Sequence, residues 1–168
     1  MSAPTRLSAL LASYAGYHRD ARNRRTHYVG VPLISYAVLA ALALLGWRLF
    51  GTRVPLDRVA VAALAVFYLA LDVRLGLLLT GMLAALAAAG EWTVLLGPHV
   101  TLGAAAAAFV VGWALQLLGH HLEGNRPALL DNLLQILIAP IYLTAELAFA
   151  LGWRRQLQAS LRHIGAAR

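Results

Sequence analysis

Apolar residues run in long blocks along this chain, each closed by a short group of charged or turn-forming residues. Residues 31–47 carry no charge and are closed by Arg48, Gly51, Arg53 and Pro55. That pattern predicts a spanning helix, since a bilayer core of roughly 30 Å takes about 20 helical residues. Residues 56–71 and 75–90 predict two more, turning at Asp72, Val73 and Arg74. The first of these is 16 residues long, about 24 Å as helix, and spans with snorkelling flanks and local thinning. Gly97-Pro98 predicts a fourth start, with proline in the first turn where its missing N–H costs least. This helix runs through the alanine block 104–108 to Gly119, and the small residues suit close helix contact. Residues 127–153 are apolar enough to insert, yet hold Asp131, Gln135, Pro140 and Glu146. Pro140 predicts a kink or break, so the segment is either a fifth crossing or re-entrant.

The ends of the chain read differently. Leu7, Leu10, Leu11 and Tyr14 share one helical face. The apolar stretch behind Arg6 is short and broken by Ser8, unlike a cleavable signal. An amphipathic helix lying on the membrane or on the bundle is expected there. Residues 153–168 are polar and Arg-rich, with Leu157, Leu161 and Ile164 on one face. The expected fold is all-α: a membrane helical bundle of four crossing helices, a fifth Pro-kinked crossing or re-entrant segment, and an amphipathic N-terminal helix. One integral-membrane domain over 1–168 is expected, with no long linker and no repeat.

Composition agrees. Of 168 residues, 61% are hydrophobic and 12% charged, at a mean hydropathy of +0.70, against roughly half and a quarter in soluble domains. A cytosolic globule, a disordered chain and a nucleic-acid module are excluded. The net charge of +7 would suit nucleic acid, but the arginines bracket the apolar runs, as in membrane proteins. The absence of Cys removes disulfides, iron–sulfur clusters, thiolate metal sites and a cysteine nucleophile. Any metal must be held by the six His, by carboxylates or by water.

Two polar stretches, residues 17–32 and 113–132, are separated by four crossings and so lie on the same side. His18 and His27 are nine residues apart. On one straight helix that places them about half a turn out of phase and about 13 Å apart. A shared ion therefore requires a helix break near residues 19–23, where Asp20 and Asn23 are suitable turn or N-cap residues. His120 and Glu123, at i and i+3, share a face and can ligate one ion. Gln116 lies one turn before His120 and suits an outer role around such an ion. His121 points about 100° away, toward solvent or headgroups. His99 has no partner and lies on the opposite side. Arg22, Arg24 and Arg25 read first as an anchor to anionic membrane lipid. Arg126 is the better candidate for a substrate carboxylate, with an ion pair to Glu123 or Asp131 as its structural alternative.

The order of these residues resembles a known family. One half is Tyr17-His18, Asn23, His27 and Pro32. The other is Trp113, Gln116, Gly119-His120, Glu123, Pro127-Ala128 and Asp131-Asn132, with Ala139-Pro140 following. Together, from about residue 10 to about 163, they resemble the 2-hydroxy fatty acid dioxygenases of fungal fatty-acid α-oxidation and their bacterial relatives. The resemblance implies a multi-spanning enzyme that needs Fe2+ and uses O2 to convert a long-chain 2-hydroxy fatty acid into the acid one carbon shorter. Fungal members sit in the endoplasmic reticulum membrane. Carried over, it implies an iron site of His18, His27 and His120 with Glu123 near it, and no catalytic residue beyond that site. Arg126, Asn23, Tyr17 and Gln116 are the residues expected to contact substrate, with Tyr28 in a similar orienting role.

Imidazole ligands suit this chemistry, because they leave open positions for O2 and a chelating substrate. An acyl tail between helices gains roughly 0.8 kcal/mol per buried CH₂. The competing readings are another membrane metalloenzyme such as a zinc lipid hydrolase, or a non-catalytic lipid-binding membrane protein. Six His without paired-His boxes fit the eight-His di-iron hydroxylases poorly, and a transporter is least supported.

Charge bias bears on topology. Seven Arg lie on the motif side (6, 19, 22, 24, 25, 74, 126), three opposite (48, 53, 58) and four in the tail (154, 155, 162, 168). If residues 131–152 cross, the sides balance at seven each; if they turn back at Pro140, the split is eleven against three. The positive-inside rule favours the second. It places the His motifs and His163 on the cytoplasmic side, which makes His163 a further candidate ligand; a bacterial inner membrane is the expected location. A reporter fused after the last residue is expected to read cytoplasmic; an external reading overturns this topology.

Overall fold

The computed structural model describes residues 5–124 and 134–166. Its helices are α1 (Arg6–Gly16), α2 (Ala21–Leu44), α3 (Leu56–Leu71), α4 (Val73–Leu96), α5 (Pro98–Glu123), α6 (Leu134–Ala150) and α7 (Arg155–Ala166). Two short strands, β1 (Gly46–Leu49) and β2 (Thr52–Pro55), pair antiparallel between α2 and α3. Three helices, α2, α4 and α5, are long and apolar enough to cross a membrane, and the bent pair α6–α7 adds a fourth if it forms one span. α3 covers the same 16 residues that the apolar pattern predicts. The described residues form two compact units, Val29–Leu115 and the remainder; the boundary falls inside α2 and α5.

Within Val29–Leu115 the helices meet through small residues. Ala37 and Ala40 of α2 form a buried cluster with Ala105 of α5, so the alanine block serves helix contact, as expected. A Cβ on Gly90 would lie 2.9 Å from the Ala40 Cα, and one on Gly112 3.0 Å from the Gly30 carbonyl oxygen. Such close approach is how helices gain van der Waals contact where lipid gives no hydrophobic drive between them. Asp72 turns the chain between α3 and α4, its side chain accepting from the Leu75 N–H at 3.0 Å. A bidentate pair from Arg58 to Glu91, at 2.6 and 2.7 Å, ties the same two helices together. Val66, Leu77 and Val110 point outward and are well exposed, as lipid-facing side chains are.

The strands are a departure from expectation, which had only a closing segment after residue 47. Phe50 and Gly51, with φ of 48° and 81°, make the left-handed two-residue turn that matches strand twist. Arg53 reaches back from β2 to the carbonyl oxygens of Ala43 and Leu44, both at 2.9 Å, and so satisfies acceptors left over at the end of α2.

In the other unit α1 packs against α6 and α7, burying Leu7, Leu11 and Tyr14 as the periodicity predicts. Thr5 caps α1, accepting from the Ser8 N–H at 3.2 Å. Two expectations are corrected. α6 passes through Pro140 without a break, and the Pro140 carbonyl oxygen accepts from the Thr144 hydroxyl at 2.8 Å. The bend, 116°, comes instead between Ala150 and Arg155, where Gly152 and Arg154 adopt φ of 76° and 57°. Asn23 is not a turn residue: the break falls before Ala21, and Asn23 lies inside the first turn of α2. Residues 125–133, which include Arg126, Pro127, Ala128, Asp131 and Asn132, lie outside the described residues.

Replacing Gly90 with Val is expected to destabilise the α2–α4 contact by about 1–3 kcal/mol. Thermal unfolding in detergent checks it; an unchanged midpoint would show that the two helices part at no cost.

Candidate metal centre

The connector Tyr17–Asp20 supplies the break that a shared site requires. α1 ends at Gly16, α2 starts at Ala21, and the Asp20 carboxylate accepts the Arg22 N–H at 2.7 Å. An ion pair with Arg22 at 2.8 Å holds Asp20 below the usual carboxylate range. His18 therefore leaves the helical phase of α1 and turns back toward His27. Three imidazoles converge: ring centroids are 4.6 Å apart for His18 and His27, 5.1 Å for His18 and His120, and 5.0 Å for His27 and His120. One nitrogen of each lies within 4.8 Å of the other two, and all three residues are buried.

Hydrogen bonds fix which nitrogens face inward. His18 Nδ1 is 2.9 Å from the Tyr14 carbonyl oxygen, and His27 Nδ1 is 2.9 Å from that of Asn23. A carbonyl only accepts, so both Nδ1 atoms carry the proton and both Nε2 atoms present a lone pair. Yet the two Nε2 atoms lie 3.1 Å apart. Two lone pairs at that distance repel unless a proton or a cation lies between them. The proton is disfavoured: burial pushes His18 from 6.5 down to about 4, against the partly opposing hydrogen bond to Tyr14 and aided by the neighbouring His120. A cation resolves the conflict. Nitrogens held about 2.1 Å from one ion at angles of about 90–110° stand roughly 3.0–3.4 Å apart. His120 adds a buried Nδ1 that has no partner among the described residues. This donor set fits a divalent transition metal.

The surroundings hold the rings in place. Tyr14 stacks on His18 with centroids 4.0 Å apart and planes 8° from parallel; burial pushes its phenol pKa upward. Tyr142 of α6 backs Tyr14 at 4.8 Å. Arg24 donates to the carbonyl oxygens of His18 and Arg19, at 3.1 and 2.8 Å, and so braces the connector. α5 comes close because residue 119 is glycine: a Cβ there would run into Thr26 Oγ1 and Asn23 Oδ1.

The other sequence candidates fall as follows. Glu123 sits beside the connector, its oxygens taken by the Arg19 and Asp20 N–H groups and the Asn23 amide. Asn23 is fully buried, with Oδ1 unpartnered among the described residues. Gln116 is half-buried and likewise has an unpartnered Oε1. Tyr17 is half-buried at the end of α1, and Tyr28 is exposed. His163 is exposed on α7 and does not join the three rings; His99 and His121 are exposed as well. Tyr14, Tyr142 and the bracing role of Arg24 escaped the sequence reading. Tyr14 had a signal, standing four residues before His18 as Asn23 stands before His27.

Comparison with known proteins agrees with the site. The family model described as "2-hydroxy-palmitic acid dioxygenase Mpo1-like" matches residues 5–151. The 2-hydroxy-palmitic acid dioxygenase MPO1 of Saccharomyces cerevisiae is 32% identical over 162 residues, covering 94% of this chain and 88% of the yeast protein. No solved structure matches this chain.

Gly119→Ala is expected to force α5 off α2 at Asn23 and Thr26, costing about 1–3 kcal/mol. A lowered thermal midpoint would be the sign, whereas Gly103→Ala, where a Cβ meets nothing, should leave the midpoint in place.

Proposed function

This chain belongs to the 2-hydroxy-palmitic acid dioxygenase Mpo1-like family, and on that premise we propose that it is an Fe2+-dependent membrane dioxygenase of long-chain 2-hydroxy fatty acids. The reaction would take one O2 and release the acid one carbon shorter, CO2 and water. The observation that carries this reading is the pair of facing Nε2 lone pairs at 3.1 Å with His120 beside them, which favours a bound cation. His18, His27 and His120 would hold it. Bound Fe2+ would supply O2 activation and a chelation point for the hydroxyl and carboxylate oxygens of the substrate.

The chain's own residues account for the rest. Three neutral imidazoles leave the ion's charge uncompensated, which suits an anionic chelate. Tyr14 and the two carbonyl acceptors hold the rings in one orientation, an arrangement that raises ligand basicity and fixes the tautomer. Asn23 and Gln116 offer buried, unpartnered oxygens that would accept from the substrate's hydroxyl or from a ligand. Tyr17 and Arg126 keep their proposed roles toward the substrate, Arg126 toward its carboxylate. The acyl tail would lie along apolar helix faces, which explains why such an enzyme is built from membrane helices. A bacterial inner membrane with the site on the cytoplasmic side is the proposed location, and the arginine bias favours that side if the tail returns to the side of the His motifs.

Anaerobic purification followed by metal analysis is expected to find one iron per chain, and O2 uptake should follow addition of 2-hydroxypalmitate. His18→Ala, His27→Ala and His120→Ala should each abolish metal binding and uptake while the chain still inserts; His99→Ala and His121→Ala should change neither. Zinc without O2 uptake would replace this reading with a hydrolytic one, and a chain free of stoichiometric metal would leave a lipid-binding protein.

A further inference from the structure

One side chain grips the connector between α1 and α2. Glu123, the last residue of α5, accepts the backbone N–H groups of Arg19 and Asp20 at 2.5 and 3.1 Å through Oε1, and the Asn23 side-chain amide through Oε2. These contacts all fall between His18 and His27 along the chain. Arg19 directly follows His18, and Asn23 supplies the carbonyl that orients His27. The two backbone N–H groups stand just before α2, where no helical acceptor is available and a negative charge is favoured. A carboxylate at residue 123 thus satisfies donors that the break itself leaves unmet. Its oxygens are occupied by the connector, and Glu123 is not among the residues whose donor atoms converge with the three rings. Gly119, one turn earlier on α5, provides the room for Asn23 and Thr26 that lets the grip close.

We propose that Glu123 is a positioning residue: its carboxylate closes the α1–α2 connector onto α5 and thereby sets the His18–His27 spacing, without entering the metal's donor set. This rests on the reading of the three His as the metal site. It differs from ligation by Glu123, which the i, i+3 spacing alone would equally allow.

The test has a metal-free arm and a metal arm, both on the full chain in detergent. In the metal-free chain, trypsin cleavage after Arg19 and Arg22 should accelerate about tenfold or more in Glu123→Ala, because cleavage follows the population of the opened connector. With Co2+ as the probe, Glu123→Ala should weaken binding about 10- to 100-fold, the range seen when a ligand's support is removed. At saturation its ligand-field bands should keep the wild-type positions. Glu123→Gln, which still offers an acceptor oxygen, should recover part of the affinity. Asn23→Ala should give the same pattern, and the double variant should be less than additive. If Glu123→Ala does not fold, Glu123→Gln and Asn23→Ala carry the comparison. Shifted bands at saturation would make Glu123 a ligand and overturn the proposal, as would unchanged cleavage in the Glu123 and Asn23 variants. A wild-type chain that takes up no Co2+ would overturn the metal reading instead, and the trypsin arm would still read the grip by itself.

Discussion

Two imidazole nitrogens confront each other at 3.1 Å, each already deprived of its proton by a carbonyl on its other side. Left alone, that arrangement is repulsive and buried, a combination that folding does not tolerate without compensation. The features around it compensate. The connector between α1 and α2 redirects His18, Tyr14 stacks against its ring, and α5 approaches closely enough to bring a third imidazole. Much of the fold near the site consists of ways to hold a geometry that a cation between the two nitrogens would make favourable. Burial has a second effect, since it keeps protons from competing for the same lone pairs.

The remaining helices set the medium in which this centre works. Close contacts at Gly90 and Gly112 and the alanine cluster let α2, α4 and α5 pack without large side chains between them. Bulky apolar residues are released to the outer faces. Under the proposed function, a lipid substrate and the protein's own packing would draw on the same composition.

What was legible in the sequence follows from how local each signal was. The break between His18 and His27 could be inferred because nine residues on one helix cannot bring two rings together. Asp72 and Gly97-Pro98 announce boundaries through their own backbone preferences. The strands after α2 could not be foreseen: Trp47, Arg48 and Leu49 read equally as the end of a spanning helix, and the turn places a non-glycine residue, Phe50, at positive φ. Pro140 misled for the opposite reason, since α6 continues through it and the chain bends after Ala150 instead. The first turns of α2 were legible only as part of a polar stretch, because their arginines outweigh their helical phase. The role of Glu123 is the least legible, because it accepts from backbone N–H groups more than one hundred positions away.

The carbonyls of Tyr14 and Asn23 carry a consequence for how such centres are detected. A backbone oxygen is common to all amino acids, so the group that aims each ring leaves no trace in the identity of the residue that provides it. Only the interval of four positions is written into the chain. Two proteins could share this aiming device while differing at every side chain that flanks it, and a comparison of residue types would pass over the resemblance.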